Sequence, residues 1–169
     1  MKLTDNQIAN ILDDMVIITD TREQKNQHIL DWLDNNCISH KTEKVDTGDY
    51  TFILPNYLEL NVDRKFIVER KGSLNELAGN FTTGRARFTR EFERITDEHI
   101  HIVIENATWK KILKGSYRGN FNPKSYMASL LTTGIRYKCQ IWFCSTDESP
   151  EIIYNILKYE LREFLKNKC

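Results

Sequence analysis

Three acid-x-Lys triplets stand in this sequence: Glu23-Gln24-Lys25, Asp63-Arg64-Lys65 and Glu69-Arg70-Lys71. Such triplets matter because hydrolysis of a phosphodiester needs a divalent metal on hard oxygen ligands, a water for it to activate, and positive charge near the transition-state oxygens. Two carboxylates and a lysine supply that minimum, and Asp49, in Gly48-Asp49-Tyr50, is the candidate second carboxylate. A triplet alone says little, and placement separates the three. The first falls on an expected helix from about Glu23 to Asn35, where residues i and i+2 diverge, and the second lies in a polar turn from Asn61 to Lys65. Only the third ends an apolar strand, Phe66-Ile67-Val68. On a strand, residues i and i+2 point to one side, so Glu69 and Lys71 are expected to converge while the Arg70 side chain points away. The backbone carbonyl of Arg70 could then serve as a further metal ligand.

The elements that must position these residues follow from periodicity. MVIITD at 15–20 is a short apolar strand ending in Asp20, followed by the helix carrying Ile29, Leu30 and Leu33. DTGDYTFILP, YLELNV and KFIVER are three β-rich runs separated by Pro55-Asn56 and the 61–65 turn, which predicts an antiparallel meander. Ser73, three residues before Glu76, predicts a capping box and a helix through Leu77 directly after the strand. From Gly84 to about Asp97, Phe88, Phe92 and Ile95 repeat at helical spacing, with Arg87, Arg90 and Arg94 on another face. HIVIE at 101–105 and QIWFC at 140–144 are expected as buried strands. Asn122-Pro123 opens a helix over Tyr126, Met127, Leu130 and Leu131, and Ser149-Pro150 opens a last one with Ile153, Ile156, Leu157, Leu161, Phe164 and Leu165 as its core stripe. Strands and helices in this order predict a single α/β domain over residues 1–169, a mixed central sheet flanked by helices.

Composition narrows the function classes. The 24 Lys and Arg are balanced by 24 Asp and Glu, so attraction for phosphate must come from local clustering. The stripe of Arg85, Arg87, Arg90 and Arg94 is the candidate for contact with DNA, or else a solvated face tied by pairs such as Arg87 with Glu91. Lys110, Lys111, Lys114, Tyr117, Arg118 and Lys124 mix basic and aromatic residues in a loop that either tracks a nucleic-acid backbone or is plain surface. Cys37, Cys139, Cys144 and Cys169 lack CxxC spacing, which argues for reduced structural thiols rather than zinc. Of His28, His40, His99 and His101, only the last two have mutual metal spacing, alternating on a strand edge, and all four are expected to be ordinary surface or edge histidines. Neither a phosphate-binding glycine loop nor GxGxxG occurs, so no nucleotide cofactor is expected. An acidic, amide-rich start and the lack of an apolar run near the roughly 18 residues of a membrane span predict a cytoplasmic protein with no membrane part.

Taken together, these motifs resemble the XPF-type nuclease domain, a branch of the PD-(D/E)xK superfamily with its restriction-endonuclease-like fold. Asp20-Thr21-Arg22-Glu23 looks like its first acidic motif, Gly48-Asp49 with Glu69-Arg70-Lys71 its core, and Gly84-Arg85 its later glycine-arginine. Ile102 to Glu105 resembles its next core strand, so the likeness covers about residues 17–105. Residues 106–130 look like small stand-alone members common in phages and prophages.

The resemblance implies a metal-dependent endonuclease for branched or otherwise structured DNA. Asp49 and Glu69 would bind Mg2+ or Mn2+, and Lys71 would orient the attacking water or stabilise the charged transition state. Asp20 is the further acid near the metal, or else a strand end that caps the next helix. Arg22, Glu23 and Arg70 would support the site, Arg22 with a DNA contact. Asn75 stands where the family usually carries aspartate, leaving Glu76 as a one-residue-shifted substitute ligand. A homodimer through the nuclease domain is implied as well. Two rival readings share the motifs: a catalytically silent DNA-binding subunit of a nuclease pair, and a sequence-specific restriction-type endonuclease.

Overall fold

The computed structural model describes residues 3–95 and 98–167. Six strands form one mixed sheet in the order β2-β1-β3-β4-β5-β6, flanked by helices, with β1 at Val16–Thr19, β2 at His40–Thr42, β3 at Tyr50–Ile53, β4 at Phe66–Lys71, β5 at His99–Glu105 and β6 at Gln140–Cys144. The chain divides into two compact units, one within Met1–Val68 and Pro150–Cys169, the other within Glu69–Ser149. Strand β4 runs unbroken through the division. No helix among the described residues is long and apolar enough to cross a membrane.

In the first unit, α1 (Asp5–Asp13) is an unanticipated helix. Its start is set by Thr4, whose hydroxyl accepts from the Gln7 amide while the Gln7 side chain accepts from the Thr4 amide, a reciprocal cap that satisfies two otherwise orphaned donors. Strand β1 pairs antiparallel with β3, Ile17 opposite Phe52, and parallel with β2, Ile17 opposite His40. Strand β2 escaped detection because His40-Lys41-Thr42 is short and polar. The expected helix at Glu23 begins later, as α2 (Gln27–Asn35), since Lys25 sits in the left-handed region at φ 58°. Glu23-Gln24-Lys25 therefore lies in a turn rather than on a helix.

The expected meander is corrected to a two-strand pair. Strands β3 and β4 run antiparallel with Tyr50 opposite Val68, and Tyr57 to Val62 forms a loop with one 3-10 turn at Leu58–Leu60 instead of a strand. Left-handed Asn61 and Arg64 break the extended path, and Leu58, whose alternation with Leu60 mimicked a strand, is 71% exposed. Helix α7 (Ser149–Asn167) lays Ile153, Ile156, Leu157, Leu161 and Leu165 into the core of this unit, with the Phe164 ring edge-on to Phe66.

The second unit starts with Glu69-Arg70-Lys71 and turns at once into α3 (Leu74–Phe81), whose N-cap is the expected Ser73. The box is modified: the Ser73 hydroxyl accepts from the Glu76 amide, and Glu76 reaches back to the amide of Gly72 rather than Ser73. Helix α4 (Arg85–Glu93) is shorter than expected, and Asp97, its anticipated end, lies outside the described residues. Phe88 and Phe92 are buried while Arg85, Arg87 and Arg90 are exposed, the two-faced helix read from the spacing. After β5 come α5 (Trp109–Leu113) and α6 (Pro123–Tyr137), the latter capped by Asn122 with Pro123 in its first turn. Tyr126, Leu130 and Thr133 are buried, while Leu131 is exposed. Strand β6 pairs parallel with β5 but alternates in burial, so it is a half-covered edge rather than a buried strand. His101 departs from the surface expectation too: it is buried, and its Nδ1 accepts from the Trp142 indole at 3.1 Å.

One glycine bears directly on the site. Gly48 holds φ 78°, and a Cβ there would stand 2.1 Å from the Ile67 Cγ2 of β4. Gly48→Ala is therefore expected to destabilise the protein by about 2–4 kcal/mol, the sum of left-handed strain and overpacking, read as a lower urea midpoint at unchanged slope.

Candidate active site

Strand β4 is buried along its whole length, including its three charged residues, so each needs a partner. The alternation expected of a strand is observed. Lys71 Nζ donates to Glu69 Oε1 at 2.6 Å and lies 3.5 Å from Glu76 Oε1 and 5.9 Å from the centre of the Phe88 ring. Arg70, between them in sequence, instead makes a forked pair with Glu105 at the end of β5, Nε to Oε1 at 2.7 Å and Nη2 to Oε2 at 3.0 Å. The Ser149 hydroxyl donates to the same Glu105 at 2.7 Å. Removing one partner of such a buried pair costs about 3–5 kcal/mol, because the other charge is left uncompensated.

Glu105, the buried partner of Arg70, was not singled out from the sequence. Its signal was present: a lone acid closing the apolar run Ile102-Val103-Ile104.

In the first unit, Asp49 immediately precedes β3, half-buried, directly after Gly48. Its amide donates to the Val68 carbonyl at 3.0 Å, and its carbonyl accepts from the Asp20 amide at 2.8 Å. Asp49 is thereby tied through backbone to the residue preceding Glu69 in the chain and to the end of β1.

Asp20 is 1% exposed and its carboxylate is fully engaged. One oxygen accepts from the Arg22 amide and Nε, both at 2.7 Å; the other accepts from the Val45 amide at 2.7 Å and Arg22 Nη2 at 3.2 Å. Burial pushes the Asp20 pKa up, but the hydrogen bonds from the Arg22 side chain and from the Val45 and Arg22 amides outweigh it, holding the carboxyl below its ordinary value. Arg22 is 62% exposed yet tethered, since Nη2 also donates to the Val45 carbonyl at 2.7 Å. Glu23 accepts from the Tyr50 hydroxyl at the long distance of 3.5 Å. Asn75 binds the Arg118 amide through Oδ1 at 2.7 Å, and Glu76, half-exposed, faces Lys71. Arg94 is exposed beyond the end of α4.

The donor set fits a hard divalent cation. Among the described residues no three His, Cys, Asp or Glu side chains gather closely enough to hold an ion by themselves. Mg2+ keeps several of its waters and takes one or two carboxylates, so a carboxylate such as that of Glu69 suits it in kind. Among the described residues no His and Cys side chains gather into a set for a softer ion. The thiols of Cys139 and Cys144 are pushed up to about 11, by burial first and, for Cys144, by the charge of Glu105 as well, and Cys169 lies outside the described residues.

The ERCC4 domain model matches residues 19–156. The chain belongs to the ERCC4 domain family. Among solved structures, this ERCC4 domain is similar to XPF from Aeropyrum pernix, at TM-score 0.64 and 18% identity over 86% of this chain and 61% of that one. It is also similar to XPF from Aeropyrum pernix in complex with DNA, at TM-score 0.65 and 17% identity over 88% of this chain and 66% of that one. The chain thus spans less than two thirds of either. The likeness shows the XPF-type, restriction-endonuclease-like fold; it lends no support to the phage affinity expected of residues 106–130. No match was found among curated proteins.

The engagement of Asp20 has a measurable consequence. Because its folded pKa lies below the ordinary 3.8, its stabilisation is complete above that value and lost as pH falls through the depressed one. Asp20→Asn should lower stability by about 1–3 kcal/mol at neutral pH, and denaturant melts should show this gap to wild type closing below the ordinary value.

Proposed function

We propose that this ERCC4 domain is a metal-dependent endonuclease that hydrolyses phosphodiester bonds in branched or otherwise structured DNA. The observation that carries the reading is the Glu69–Lys71 pair, a carboxylate and an ammonium 2.6 Å apart and buried together at the end of β4. A buried ion pair of this kind is expensive to desolvate and is a poor way to add stability, which favours a chemical role for it.

In this reading Asp49 and Glu69 hold Mg2+ or Mn2+, which when bound supplies Lewis acidity and a water of lowered pKa. Lys71 donates a hydrogen bond to the attacking water or to a non-bridging phosphate oxygen, where negative charge grows as the new P–O bond forms and the bond to the leaving sugar oxygen breaks in line. The Arg70 side chain is committed to Glu105, so it serves as a positioning residue: it anchors the middle of Glu69-Arg70-Lys71 from the opposite side of the strand. In this reading Asp20, whose carboxylate accepts from Arg22 and Val45, stands as a further acid near the metal or as a support that holds Arg22 and Val45 in place. Glu76 orients Lys71.

DNA as the substrate is supported by the XPF structure solved in complex with DNA and by the exposed arginines of α4, Arg85, Arg87 and Arg90. With the lysines of residues 110–124, these provide the local clustering that a balanced net charge requires.

The purified protein should nick flap or junction oligonucleotides in Mg2+ faster than plain duplex of the same sequence, and EDTA should abolish cutting. Glu69→Gln and Lys71→Ala are each expected to lower the rate at least about a hundredfold, in keeping with loss of a metal ligand or of transition-state charge stabilisation. Binding without cutting in either metal would establish the silent-subunit alternative; equal rates on all three DNAs would remove the structure preference.

A further inference from the structure

A cavity of about 270 Å3 opens in the second unit where the start of α3 meets the segment following β5. Its wall includes Asn75, Asn106, Lys111, Ser116, Tyr117 and Arg118. The volume is just under the roughly 300–1,000 Å3 of small-molecule sites, the right scale for one small unit of a ligand and too little for an extended one. Two cations line the cavity and no carboxylate does. Arg118 is exposed, and its guanidinium makes no ion pair among the described residues; its backbone amide is held by Asn75 Oδ1 at 2.7 Å. Lys111 is fixed at the rim by the Asn106 carbonyl, 2.7 Å from Nζ.

The remaining groups suit a nucleobase. Tyr117 is set in place before any ligand arrives: its hydroxyl donates to the Phe121 carbonyl at 2.8 Å, and its ring stands edge-on to Tyr126 with centroids 4.8 Å apart. A pre-set aromatic ring can meet a base face with little loss of side-chain freedom. Asn106 gives an amide hydrogen to Thr146, which leaves its side-chain oxygen without a partner among the described residues, and the Asn75 side-chain nitrogen likewise has none. One acceptor and one donor group match the mixed edge of a base.

Position relates the cavity to the candidate active site. Ser73 lies in its wall, two residues beyond Lys71, and two residues span at most about 7 Å. The cavity wall is therefore continuous in the chain with the end of β4.

We propose that this cavity holds one nucleotide of a DNA strand beside the scissile position, with Lys111 and Arg118 on its phosphate and Asn75, Asn106 and the Tyr117 ring on its base. The proposal rests on the nuclease reading for the word scissile alone; occupancy of the cavity stands or falls independently. Asn75 is the discriminating residue, since an amide there accepts from the Arg118 amide without bringing negative charge to the wall.

The test uses the full chain in EDTA, so that neither metal nor cutting is involved. Pentathymidylate, dT5, is titrated and followed by amide 1H–15N shifts, with inorganic phosphate as the comparison probe. Saturable shifts are expected at Asn75, Ser116, Tyr117 and Arg118, with dT5 binding weakened about tenfold in both Asn75→Asp and Arg118→Ala. Asn75→Asp preserves the acceptor for the Arg118 amide, and Arg118→Ala removes only an exposed side chain, so a melting temperature matching wild type accompanies each. The proposal is overturned if dT5 shifts other residues only, if inorganic phosphate reproduces the same shifts with equal affinity, or if both variants bind within about twofold of wild type. Cutting assays on the same variants report on the nuclease reading separately, because a protein that never cuts can still bind dT5 here.

Discussion

A charge buried in a β-strand must be neutralised where it stands, and β4 ends in three such charges in succession. Because neighbours on a strand face opposite ways, Glu69, Arg70 and Lys71 cannot satisfy one another as a row. The solution is a division by side: Glu69 with Lys71, and Arg70 with Glu105 across to β5. The second pair brings with it the Ser149 hydroxyl at the start of α7. Much of the local architecture follows, since the end of β4, the end of β5 and the beginning of the last helix are bound to one carboxylate.

The first unit meets the same constraint with a different device. Asp20 is almost wholly buried, yet it avoids an unpaired charge by accepting from two backbone amides and one guanidinium. This fixes the strand end at which the Asp49 carbonyl receives the Asp20 amide. Gly48 completes the arrangement by letting the chain pass Ile67 where a side chain would collide. A glycine before the aspartate is thus a packing requirement of β4, which gives the Gly-Asp pairing a physical reason beyond its place in a motif.

What could be read from the sequence was mostly what local chemistry decides. Ser73 and Asn122 marked their helices because a cap is a short-range hydrogen bond, and the i and i+2 rule put Glu69 and Lys71 on one side of β4 as it does in the structure. The failures were of longer range. YLELNV has the alternation of a strand but no neighbour to pair with, and His40-Lys41-Thr42 has a neighbour but no alternation. Arg70 was legible as facing away from its neighbours, whereas the identity of its partner depended on which strand lies beside β4. Asp20 was legible as an acid at a strand end, whereas its hydrogen bond from the Val45 amide comes from 25 residues away.

We propose Asp49 and Glu69 as metal ligands served by Lys71, and metal binding tests this without any assumption about substrate. Electron paramagnetic resonance of Mn2+ titrated into the purified protein reads the free ion directly. The account predicts saturable binding to wild type, weakened at least about tenfold in Asp49→Asn and in Glu69→Gln. Mn2+ bound with wild-type affinity by both variants would contradict it.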